Sequence, residues 1–293
     1  MVHAELAGGR ARTASYTILA LVAFAANSIL CRLALRHASI DAATFSAIRL
    51  SAGAAMLLPL VAWTRRDAGG LSNVAGSWGS ATMLFLYAVP FSFAYVGLSA
   101  GTGALILFGA VQATMILGAV RSGERASPLQ WLGLAIAIAG LTYLMLPGLA
   151  APPLHSAALM AVAGVAWGIY SLRGRGSANP LAQTAGNFAR AVPLALGVLL
   201  VARAHVAMAP AGVWLAVASG AIASGVGYVL WYAALRGLAS MSAAVVQLSV
   251  PALAAAGGVL FLAESITARL VLAAAMILGG IALALAARAS RSE

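Results

Sequence analysis

Long apolar runs separated by short polar connections set the pattern of this chain. Ten such runs occur, at approximately 16–34, 43–63, 80–98, 102–120, 128–146, 155–172, 181–202, 212–235, 241–261 and 267–287. Each holds roughly 17–25 residues, which as an α-helix covers a bilayer core of about 30 Å. The connections leave no room for a soluble domain. The pattern predicts an all-α membrane protein with ten transmembrane helices.

Composition supports this reading. Only 8% of residues are charged, whereas soluble proteins carry about a quarter, and 63% are hydrophobic. The net charge of +11 comes from seventeen arginines with no lysine. In a soluble protein such a balance would suggest nucleic acid. Here the arginines are spread over the helix ends without an aromatic-studded basic face, so they read as topology signals and no nucleic-acid partner is expected. With the N-terminus inside, eleven arginines fall on the cytoplasmic side and four (Arg32, Arg36, Arg203, Arg269) on the other. That bias predicts both termini in the cytoplasm. Ala23-Phe24-Ala25 mimics a signal-peptidase site, but the first run reads as a retained span. Cys31 stands alone, so no intrachain disulfide can form.

The chain also repeats itself. Shifted by roughly 140 residues, SGERASPLQWLGLAIAIAGL falls on LAESITARLVLAAAMILGGI, which aligns Glu124 with Glu264 and Gly140 with Gly280. With one more residue of offset, Arg49 falls on Arg190 and Arg32 on Arg173. Five spans therefore match five spans, over residues 1–147 and 148–293. An odd number of spans per unit means the second unit enters the membrane inverted, related to the first by a pseudo-two-fold axis in the membrane plane.

These features resemble the drug/metabolite transporter superfamily in its EamA-type ten-helix branch, and most closely its bacterial YddG-type aromatic amino acid exporters. The resemblance covers nearly the whole chain. It rests on Arg49 and Arg190, on the turns GERAS and AESIT, and on the helices around Gly140 and Gly280. Pro251 precedes the second turn, while Val111 occupies the matching place in the first half, so the two halves need not bend alike. The resemblance implies a multi-pass transporter of the bacterial inner membrane.

Arg49 and Arg190 lie inside apolar runs, where a charge needs a partner, water, or a route to the headgroups. In the inverted arrangement each shares a membrane face with the glutamate of the other repeat. Two structural ion pairs are therefore candidates, Arg49 with Glu264 and Arg190 with Glu124; the alternative is that each arginine caps carbonyls within its own half or meets lipid phosphate. In such transporters the substrate path runs near the bilayer centre, at the interface of the repeats. Candidate substrate-binding residues there are Asn27 in the first span, and Tyr87, Phe91 and Tyr95 at i, i+4, i+8 on one face of the third. Gln112, Trp167 and Tyr170 follow, then Tyr228, Trp231, Tyr232 and Gln247. Pro90 removes a donor from the third helix and predicts a bend. Together they describe a mostly neutral cavity with aromatic walls and a few amides, suited to a flat apolar side chain.

Absences narrow the chemistry. Asp41, Asp67, Glu124 and Glu264 fall in connections, so no carboxylate lies deep in a span to carry protons. There is no Gly-rich, Lys-containing phosphate loop, and the four histidines lack metal-ligand spacing. No cofactor, metal or catalytic residue is expected, and the chain reads as a non-enzyme. The function predicted is export of small amphipathic metabolites, amino acids including aromatic ones, by alternating access. Efflux of drug-like aromatic or cationic compounds is the alternative, and a membrane-embedded enzyme a further one. Internal duplication is consistent with a functional monomer.

Overall fold

A computed structural model describes residues 2–36, 39–64, 74–121, 127–146, 151–174, 177–238 and 240–289. Helices account for nearly all of them. In chain order they are α1 (Val2–Arg36), α2 (Ala42–Thr64), α3 (Trp78–Tyr95), α4 (Ala100–Arg121), α5 (Pro128–Met145), α6 (Leu154–Gly174) and α7 (Pro180–Val201). Then come α8 (Pro210–Val217), a π-helical stretch Ala218–Val226, and α9 (Gly227–Leu235), which form one rod, followed by α10 (Ser240–Gln247), α11 (Val250–Leu262) and α12 (Ala268–Ala289). Among the described residues, nine helices are long and apolar enough to cross a membrane. The 18-residue α3, diluted by serines and tyrosines, is not one of the nine.

Helix ends follow local chemistry. Ser77 accepts from the backbone N–H of Ser80 to start α3. Ser127 and Gln130 form a reciprocal capping box ahead of α5, with Pro128 as its first residue. Asn179 accepts from the backbone N–H of Ala182 to start α7, with Pro180 as its first residue. Pro90 lies within a continuous α3, whereas the run expected over 241–261 divides into α10 and α11. At that break Leu248 and Ser249 donate to Val245 and Val246, a tighter i−3 pattern, just before Pro251 withdraws a backbone donor.

Packing partners come in matched sets. α1 packs on the π–α9 rod and α3 on α6; α6 packs on α4 and α1 on α11; α2 meets α7, α4 meets α11 and α5 meets α12. Exchanging each helix of the first half with its counterpart in the second maps this list onto itself. Two connections of the first half are tied to the second half, one to another connection and one to α7 itself. The α1–α2 connection meets the α7–α8 connection through an Ile40–Met208 bridge, with Asp41 N–H donating to the Ala207 carbonyl. At the other tie, Ser77 N–H donates to Asn187 Oδ1 and Arg190 Nη1 to the Ala75 carbonyl.

Candidate functional site

Arg49 organises the centre. It sits about 10 Å along α2 from Ala42, and its side chain is fully buried. Close packing of α2 on the π-helical stretch requires Gly220, where a Cβ would lie 2.1 Å from the Arg49 carbonyl oxygen. The π geometry matters here. Ser219 and Ser224 are five residues apart, about 140° apart on an α-helix, but the wider π turn brings them to one side. Both hydroxyls donate to Asn27 Oδ1, at 2.7 and 3.3 Å. Arg49 Nε and Nη2 each reach Ser224 Oγ at a long 3.4 Å, and Nη2 donates to Tyr87 OH at 2.9 Å. Its guanidinium carbon lies 4.8 Å from the Phe91 ring centre and 5.2 Å from that of Tyr87, a cation–π arrangement. Nη1 is buried without a hydrogen-bond partner.

The rings contacted by Arg49 belong to an aromatic box. Phe24, Asn27, Tyr87, Phe91, Leu107, Phe108, Trp167 and Tyr228 enclose a cavity of about 10 Å³, room for roughly one water. Trp167 is the hub, 4.8 Å from Tyr87, 5.0 Å from Tyr228 and 5.4 Å from Tyr170 between ring centres. Phe24 stands edge-on to Trp167, Tyr228 and Trp231. The Tyr228 hydroxyl is buried and also has no hydrogen-bond partner. Walls come from α1, α3 and α4 of the first half and α6 and α9 of the second.

Of the candidate substrate-binding residues, Asn27, Tyr87, Phe91, Trp167 and Tyr228 converge on this cavity. Trp231 stands behind Phe24, and Tyr95 lies beyond Phe91, its hydroxyl donating to the Ala100 carbonyl. Tyr170 and Tyr232 face a separate polar niche with Ser80, Gln183, Thr184 and Asn187, where Asn187 Nδ2 donates to Tyr170 OH at 3.3 Å. Gln112 and Gln247 are buried on α4 and α10, away from the cavity lining. Phe24, Phe108, Ser219, Ser224 and the central place of Arg49 were missed. Phe24 had a usable signal, since it precedes Asn27 by three residues and shares its helix face.

The candidate Arg49–Glu264 pair does not form. Glu264 Oε1 accepts from Arg32 Nε at 3.3 Å, and Oε2 from the N–H of Ala100, the first residue of α4, at 2.8 Å. Arg32 also donates to the Tyr95 and Val96 carbonyls, and Arg36 to that of Leu262. Ala263, with φ of 49°, turns the chain so that Glu264 faces back along α11. Arg190 donates to the Ala75 and Gly186 carbonyls, and its candidate partner Glu124 lies outside the described residues.

Asp41, in the α1–α2 connection, joins two loops: Oδ1 accepts from Thr44 N–H at 2.9 Å and Oδ2 from Ala207 N–H at 3.0 Å. Burial pushes its carboxyl up, but hydrogen bonds from Thr44, Ala207 and Ala43 outweigh this and hold it below the usual aspartate range.

The sequence pattern of the EamA-like transporter family matches residues 12–146 and again residues 155–286. The chain belongs to this family. It is therefore a multi-pass helical protein of a membrane-transporter family, with the bilayer and a small-molecule substrate as its partners. An uncharacterized protein of Pseudomonas aeruginosa is 50% identical over 281 residues, covering 96% of this chain and 97% of that one. A protein of known crystal structure superposes with a TM-score of 0.66 at 21% identity, covering 94% of this chain and 97% of that one. That likeness concerns the fold.

Proposed function

We propose that the protein exports small amphipathic metabolites, amino acids including aromatic ones, across the bacterial inner membrane. Residues 1–147 and 148–293 act as two inverted five-helix units with both termini cytoplasmic. They work as a monomer by rocking around the central aromatic box. The observation that carries this reading is the box itself, built by both halves around one amide, Asn27, and closed to about 10 Å³. Such a wall stacks on a flat side chain, and admitting a substrate requires the halves to part, as alternating access does. The exchange-symmetric packing supports the inverted arrangement. No carboxylate among the described residues pairs with Arg49, which favours movement down a gradient over proton exchange at the site. The same unpaired guanidinium disfavours organic cations as substrates.

Purified protein in liposomes, given a panel of amino acids and flat cations, tests the proposal. Aromatic amino acids should cross faster than through protein-free vesicles, and W167A should change the order of preference. Flux confined to cations, or no flux, would overturn it.

A further inference from the structure

We infer that Arg49 and Tyr228 form a docking point for the carboxylate of the substrate. This rests on the transport reading above and adds a charge requirement to it. Two buried hydrogen-bond groups lack partners, Tyr228 OH on the cavity wall from the second half and, from the first half, Nη1 of Arg49, which packs behind the wall residues Tyr87 and Phe91. A buried donor left without an acceptor is costly, and a guanidinium in apolar surroundings more so. Neither group is spare by accident of a wet surface: both residues are at least nine-tenths buried. Arg49 already spends Nε and Nη2 on Ser224 and Tyr87, which aims its fork and leaves the Nη1 edge free. The open Nη1 of a guanidinium suits a carboxylate or phosphate oxygen, and the aromatic walls beside it favour the carboxylate of an amphipathic molecule. The hydroxyl of Tyr228 can supply a further donor. The rings of Tyr87, Phe91 and Trp167 would then take the apolar end of the same molecule. The site thus selects a single anionic end joined to a flat apolar one, and its two unpaired groups come from opposite halves.

Isothermal titration calorimetry on the full protein in nanodiscs tests this with phenylalanine and phenylalaninamide. At about pH 6 both amines are protonated, so the compounds differ in the carboxylate. Phenylalanine should bind about 10- to 100-fold tighter than the amide, the range a charge-assisted hydrogen bond supplies. In R49Q that preference should vanish through weaker acid binding, with affinity for the amide kept. Y228F, which keeps the ring, should weaken acid binding about five- to tenfold. If R49Q does not fold, the acid–amide comparison on the wild type and Y228F decides alone. Equal binding of acid and amide by the wild type would overturn the docking point while leaving the transport reading intact. Chloride replacing sulfate in the buffer provides another arm. Chloride that displaces amide and acid alike, in the wild type only, would assign the donors to an inorganic anion and also overturn the inference. Binding of neither compound to the wild type would sink the transport reading itself.

Discussion

Glu264 offers a direct test of how the charges are partnered. Its two oxygens serve different groups, Arg32 Nε at 3.3 Å and the free N–H at the start of α4 at 2.8 Å. The side chains of Arg32 and Glu264 are 18% and 13% exposed, so screening is partial rather than complete. In E264Q the amide oxygen can still accept from Ala100, and what goes is the charge, for an expected loss of about 1–2 kcal/mol. E264A removes both acceptors and should cost about 2–4 kcal/mol. A double-mutant cycle separates the pair from these other losses. Arg32 retains two carbonyl acceptors after either change, so the R32Q/E264Q coupling should be about 1 kcal/mol. R49Q/E264Q should be additive within about 0.5 kcal/mol, because those residues share no partner. Reversible unfolding in mixed micelles measures all of these. Coupling between residues 49 and 264, with none between 32 and 264, would refute the structural assignment.

Other consequences can be checked as simply. Because the folded pKa of Asp41 is lowered, its contribution is present above the unfolded value and disappears as pH falls through the folded one. Wild-type stability should therefore drop on acidification below about pH 4, and D41N should be weaker at neutral pH but lose that pH dependence, as seen in melting curves across pH. G220A should destabilise by about 1–3 kcal/mol or more, since the new methyl would meet the backbone of Arg49 rather than a movable side chain. G197A, with nothing within 4 Å of the added carbon, should be neutral or stabilising by up to about 1 kcal/mol in the same unfolding assay. N27D puts a carboxylate on the serine that Arg49 also contacts, so it should raise the melting temperature while flux of aromatic amino acids falls. Unchanged flux would mean that Arg49 takes no part in binding.

Much of the architecture was legible because a bilayer imposes it. Apolar runs of membrane-spanning length can satisfy their backbone only as helices, and nine of the described helices qualify. The doubled pattern was visible as well, in AIR over FAR and GERAS over AESIT, and the family pattern matches the chain twice. Two residues of the central box could be read from aromatics at helical spacing. Tyr87 and Phe91 line the cavity, but Tyr95, on the same face two turns on, lies past its end.

By itself, then, the sequence determined which segments are helical, how far along its helix each charge sits, and that Arg49 needed a partner. Axial position is not azimuth. Which way Arg49 points around α2 was decided only in three dimensions, where glycines at 53 and 220 let α2 and the π-helical stretch close together. That approach, and a π turn no periodicity announces, set Ser224, Asn27 and Tyr87 around the guanidinium. Glu264, carried to the ends of α1 and α4 by the turn at Ala263, was left to Arg32. Side-chain partners depend on the rotation and separation of packed helices, and those are properties of the whole bundle rather than of any one segment.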